Sequence, residues 1–164
     1  SDQRNADAIL RSVHLPVYPG AAGRCVAALD RAALADAAEA GAWTEVPARG
    51  TGRAPLVARI VAVAHKLRSD DLILTVLRSA PELAMIYIAG RLGTSQQILI
   101  DTVAEELRSA QADGSVRAGD ARELAAMVLL ITQSTIQSGQ IVEPILDADS
   151  LSAELTRALN GYLA

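Results

Sequence analysis

ARELAAMVLLITQSTIQSGQIVE, residues 121–143, is the longest continuous helical pattern in the chain and has the most apolar surface to hide. Leu124, Val128, Ile131, Thr135 and Val142 fall on one face at helical spacing, and Met127, Leu130, Ser134 and Ile141 form a second, adjacent stripe. Only a narrow strip holding Arg122, Ala126, Gln133 and Gln140 suits water. Two stripes call for two packing partners, so one face is expected against the rest of the chain and the other against a second copy of it. The small residues Ser134, Thr135, Ser138 and Gly139 would let a partner helix approach closely. The alternative is an ordinary core helix of a monomeric bundle. Asp120 is placed to cap the helix, with Glu123 three residues on to complete a capping box, and GSVRAG at 114–119 supplies the turn before it.

The whole chain, at 164 residues, is enough for one domain whose core needs neither metal nor disulfide. Hydrophobic residues make up 51% of it while aromatics are only 2% and Phe is absent, so the core must be Ala, Leu, Ile and Val, which favours helices. Cys25 is the single cysteine, with no CxxC or His/Cys cluster beside it; this points to a reducing, cytosolic setting and away from structural zinc. Thr132, Gln133, Ser134 and Gln137 interrupt the best apolar run, and no signal-peptide core opens the chain, so a soluble cytoplasmic protein without membrane contact is expected. The net charge of −4 is unevenly spread. Residues 1–70 hold nine Arg and Lys against seven Asp and Glu, residues 71–164 six against twelve, so only the front half has the sign to face nucleic acid.

In chain order, NADAILRSV at 5–13 reads as a short helix that stops at HLPVYPG, where Pro16, Pro19 and Gly20 forbid regular helix. An Ala-rich amphipathic helix spans 21–40, with Gly41 just past its end. Trp43 to Pro55 holds two prolines and two glycines in thirteen residues and reads as a loop. A helix follows from Pro55 to Arg68, a short one capped by Asp70, and another opened by Pro81 and bent near Gly90 and Gly93. Thr94 and Gln97 form a capping box before a helix over 95–111, whose Leu99, Val103, Leu107 and Ala110 face inward and which Asp113-Gly114 ends. Beyond Pro144, Asp149 or Ser150 caps a last helix reaching Leu163, with Leu151, Leu155, Leu159 and Tyr162 along one side. Nothing alternates with period two, so the fold class is all-α.

Catalytic constellations are scarce. His14 and His65 are the two histidines, and neither stands beside a Ser, Cys or carboxylate as a nucleophile and base would. Phosphate loops are absent, and Glu105 and Glu106, being adjacent, point to different sides of their helix as solvated charges. No catalytic residue, metal site or cofactor is expected, and the protein is read as not an enzyme. His65 lies on an apolar helix, either as a half-exposed core histidine or as a ligand contact, and Trp43 either covers a pocket mouth or anchors its loop.

From Leu72 to Ala164 the order of phrases resembles the effector-binding and dimerisation region of TetR-family (tetracycline-repressor-like) transcription regulators: RLGTSQQ at 91–97, AQADGSVRAGDARELA at 110–125, TQSTIQSG at 132–139 and the closing AELTRALNGYLA. The resemblance implies a helix-turn-helix DNA-binding head at the front. QRNADAILRSV resembles that head's first helix, and VYPGAAGRCVAALDRA resembles the end of its recognition helix and the helix after it. The turn and recognition-helix residues that belong between them are missing. Either a segment is absent between Val13 and Val17 or the chain is a degenerate member; the first is preferred here, because both flanks look like family sequence and the HLP junction does not.

What the resemblance implies is a homodimeric, ligand-responsive repressor, with residues 1–40 an incomplete head and connecting helix and residues 55–164 the ligand-binding and dimerisation domain. The partners would be operator DNA, a second copy and a small apolar effector held in the bundle. His65, Met85, Tyr87, Val103, Met127, Ile131 and Ser134 are expected to line the ligand cavity. Two copies would meet as a four-helix bundle through Leu124, Val128, Thr135, Gly139, Val142, Leu151, Leu155 and Leu159. The rivals are a helical enzyme and a structural or small-molecule-binding dimer that never touches DNA.

Overall fold

The computed structural model describes residues 41–71 and 94–164, and among these every regular element is a helix. Residues 41–45 are helical, and four longer helices follow: α1 (Arg53–Arg68), α2 (Thr94–Ala112), α3 (Ala121–Val142) and α4 (Ala148–Leu163). The readings made for residues 1–40 and for 72–93 lie outside the described residues.

α3 is the centre of this unit and packs on each of the other three helices, most extensively on α2, while α4 packs on α1 and α3. Its inward row, Leu124, Ala125, Val128 and Thr132, is buried, and Leu107 of α2, Val57 of α1 and Leu159 and Leu163 of α4 close the core without exposure. Truncating one such leucine to alanine in a packed core costs about 2–5 kcal/mol, since the neighbours refill the gap only in part. No aromatic side chain is among these core residues.

The helix ends follow local chemistry. Asp120 accepts the amide hydrogens of Arg122 and Glu123 at 2.9 and 3.0 Å, so α3 starts where expected. α4 starts earlier than expected: Asp147, rather than Asp149 or Ser150, is the cap, accepting the Ser150 amide at 2.8 Å, and Asp149 sits in the first turn, where its charge suits the helix dipole. α1 begins at Arg53, two residues before Pro55. Its N-cap Gly52, at φ 92°, has no side chain to offer, and the free Arg53 amide donates instead to Ser115 Oγ at 3.0 Å. A Cβ on Gly52 would stand 3.2 Å from that hydroxyl oxygen and 3.3 Å from Asp113 Oδ2, so the positive φ and the close approach both call for glycine. From the same loop the Arg117 amide and Nε donate to the carbonyls of Leu163 and Tyr162 at 2.9 and 2.8 Å, satisfying two acceptors left open at the end of α4.

Candidate functional site

Between α1, α2 and α3 lies an apolar crevice of about 550 Å³, counted out to its open mouth. Ile60, Val63 and Leu67 come from α1, Leu99, Ile100 and Val103 from α2, and Ala125, Val128, Leu129 and Ile136 from α3. Its polar lining consists of Thr132 and Gln133. Thr132 is buried and donates its hydroxyl to the Val128 carbonyl at 2.7 Å, which leaves the hydroxyl oxygen able to accept. Trp43 lines the crevice from the 41–45 segment.

That indole packs on the core and is tied down by one cation. Arg59 of α1 stacks on the Trp43 ring, 4.0 Å from its centroid, donates to the Trp43 carbonyl at 2.9 Å and to the Val46 carbonyl at 2.8 Å, and meets Glu106 of α2 at 2.9 Å. The Arg59 side chain is 14% exposed, so these bonds stand largely out of water. Glu106 is therefore the α2 anchor of a cross-helix tie rather than a solvated charge, and only Glu105, paired with Arg108, matches the sequence expectation.

A second crevice continues along the same helices, lined by His65, Arg68 and Ser69 at the end of α1, Ile136, Gly139, Gln140 and Glu143 of α3, and Leu146, Ala148 and Leu151 around the start of α4. Ile136 belongs to both crevices. Arg68 crosses α3 at Gly139, where an added Cβ would stand 3.1 Å from Arg68 Cδ. It donates from Nη2 to Ser152 Oγ at 2.6 Å and to the Ala148 carbonyl at 3.3 Å, while its Nη1 is buried with no hydrogen-bond partner among the described residues. Burial pulls the Arg68 guanidinium below its ordinary value.

Of the seven residues expected in the ligand cavity, Val103 lines the apolar crevice. His65 is exposed and lines the second crevice; Ile131 packs on the core beside the first; Met127 and Ser134 face outward, with the Ser134 hydroxyl turned back to the Ile131 carbonyl at 2.8 Å. Met85 and Tyr87 lie outside the described residues. The rotation of α3 explains the miss: its crevice face runs Ala125, Leu129, Thr132, Gln133, Ile136, and Met127 and Ser134 lie on a different side of the helix. That row could have been read at i, i+4, i+7, i+8 and i+11 of the sequence. Trp43, which the sequence reads as covering a pocket mouth or anchoring its loop, lines the crevice; nothing local marked Arg59.

The residues expected between two copies are placed differently as well. Leu124, Val128, Leu151, Leu155 and Leu159 are buried in the chain's own core, Thr135 and Val142 are half-buried, and Gly139 faces Arg68 and Leu151. Inward leucines of α4 are consumed by α1 and α3, and its outer side carries Ala153, Glu154, Arg157, Ala158 and Gly161. Among the described residues, large apolar side chains are left uncovered on α3 and just beyond it, Met127 at 43% exposure, Leu130 at 59%, Ile141 at 79% and Ile145 at 86%, and on α2 at Ile98, at 60%. The first three, with Ser134, are the second stripe of the sequence pattern.

Among the described residues no group of three or more His, Cys, Asp or Glu could hold a metal ion, and no helix is long and apolar enough to cross a membrane. The site is an apolar crevice in an all-helical unit whose α3 carries uncovered apolar side chains. The chain is similar to proteins named uncharacterized HTH-type transcriptional regulators in Mycobacterium tuberculosis, strains H37Rv and CDC 1551, and in Mycobacterium bovis. Each is 62% identical over 119 residues, 73% of this chain and 62% of the relative, so the chain spans about three fifths of the length of these relatives. No family model and no solved structure matches the chain.

Proposed function

We propose that the chain is the greater part of a TetR-type repressor, a homodimer that binds operator DNA through a helix-turn-helix head at its N-terminal side and releases it when a small, largely apolar effector enters the crevice. The observation that carries the regulator reading is the 62% identity over 119 residues to helix-turn-helix regulators. Effector binding is supported by the lining of the crevice, which is apolar with two polar side chains, the make-up of ligand pockets generally. Dimerisation is supported by the row Met127, Leu130, Ile141: apolar side chains of this size, aligned along one helix, mark a contact surface. Two such rows about a two-fold axis would bring the α3 helices together, with α4 flanking them.

An effector changes DNA affinity only if it binds the two arrangements of the heads unequally. Trp43 and α1 precede the rest of the crevice in the chain and are tied together by Arg59, so they are the parts through which a filled crevice would act on whatever lies before residue 41. The test is the intact regulator, from its initiating methionine, titrated onto DNA from upstream of its own gene and onto scrambled DNA at several salt concentrations. A preference for the upstream sequence that survives at 150 mM salt, about the physiological ionic strength, is expected. Equal affinity for both sequences, or a monomer in sedimentation, overturns the reading.

A further inference from the structure

The apolar crevice and a cationic one share a wall. Leu67 lines the first and Arg68, the next residue, lines the second; Ile136 on α3 forms a wall of both. From Ile60 to Leu67 the first crevice follows α1 for about 10 Å, at the helical rise per residue. At its end stands a guanidinium whose Nη1 is out of water and unpaired among the described residues, an uncommon state for a charged donor. His65 and Gln140 border the same space, and against them stands one carboxylate, that of Glu143.

We propose that the effector is an amphipathic carboxylate, its apolar chain lying in the crevice beneath Trp43 and its carboxylate passing Ile136 to be received by Arg68. The proposal rests on the effector-binding reading above and adds the chemistry of the head group. An apolar crevice alone takes any hydrocarbon of suitable length. A guanidinium with one nitrogen unpaired discriminates, because Nη1 makes charge-assisted N–H bonds to a carboxylate, weaker ones to an alcohol and none to an alkane. Gly139 contributes by letting the Arg68 side chain cross α3 into this position. Glu143 sets a limit on the ligand: a dianionic head group would meet repulsion there that a single carboxylate meets in smaller measure.

Trp43 is the one tryptophan of this sequence and lines the crevice, so an emission change that Trp43→Phe abolishes reports occupancy. The intact protein is titrated with decanoate, with 1-decanol and with acetate. Decanoate is expected to change the emission saturably and to bind roughly tenfold tighter than 1-decanol, the factor one charge-assisted pair supplies, while acetate leaves the emission unchanged. Arg68→Gln should bring decanoate and 1-decanol to the same affinity. Ser152→Ala removes the main hydrogen bond that Arg68 makes to α4 and should leave the preference for decanoate in place, which separates head-group binding from a purely structural role. Gln140→Glu, at an exposed position, should weaken decanoate several-fold and leave 1-decanol unaffected, and it does so without touching the fold contacts of Arg68. Equal affinity of wild-type protein for decanoate and 1-decanol overturns the head-group assignment and leaves effector binding standing. Silence of Trp43 towards all three probes overturns both.

Discussion

Removing the Arg59 side chain should detach Trp43 and loosen the crevice wall without unfolding the bundle. Arg59→Ala deletes donors at 2.8, 2.9 and 2.9 Å to Val46, Trp43 and Glu106, together with the stacking contact at 4.0 Å. A hydrogen bond from a charged donor contributes about 1.5 kcal/mol or more, and a cation over an aromatic face about 0.5–1 kcal/mol at partly exposed sites. Water reaching the two freed carbonyls recovers part of this, and the Glu106 side chain, 34% exposed, is easily resolvated. The net loss should be about 2–4 kcal/mol. For a chain of this length that lowers the melting temperature by about 5–15 °C. Arg59→Lys should lose more than half as much, because an ammonium cannot span three acceptors and stack at once. Urea unfolding followed by circular dichroism measures the loss, and Trp43 emission in the folded variant should move to longer wavelength as the indole meets water. An Arg59→Ala protein whose stability lies within about 0.5 kcal/mol of wild type and whose emission is unchanged would refute the tie.

Leu130→Arg combined with Ile141→Arg places charges where the single chain already meets solvent, so the variant should stay folded and sediment as a monomer; Leu155→Arg, by contrast, buries an unpaired charge at a position 2% exposed and should unfold the chain, at a cost of about 3–5 kcal/mol. A folded dimer of the double variant would move the contact elsewhere. The caps give a pH signature. The Ser150 amide, then its hydroxyl, holds the Asp147 carboxyl below its ordinary 3.8, and the Ser115 hydroxyl, then its amide, does so for Asp113. A depressed carboxyl contributes stability present above its unfolded value and lost as pH falls through the folded one, so part of the acid sensitivity below about pH 4 should come from these two groups. Asp147→Asn, which keeps a capping oxygen, should leave neutral-pH stability nearly unchanged and flatten the unfolding curve below that pH. Carboxyl-carbon NMR titration of Asp147 and Asp113 checks the direction; values at or above an ordinary aspartate would count against it.

Helix identity and extent were legible because the signals are local: a 3.6-residue apolar period, Asp120 before its helix, Gly114 at φ 78° after the preceding one. The composition, rich in aliphatics and without Phe, determined an all-helical class, and the two stripes of residues 121–143 were both real. What the period cannot supply is the absolute rotation of a helix against its neighbours. It gives the angle between the Val128 row and the Met127 row, and tertiary packing alone decided that the first is buried and the second left to solvent. The same limit misplaced Ser134 and His65. The crevice walls lay still further from reach, because they are tied by groups far apart in sequence: Arg59 joins Trp43 to Glu106, and Arg68 joins α1 to Ser152 across 84 residues. An isolated arginine on an amphipathic helix reads as a solvated charge. Only when four segments close around it does desolvation turn it into the fixed point on which a crevice is built.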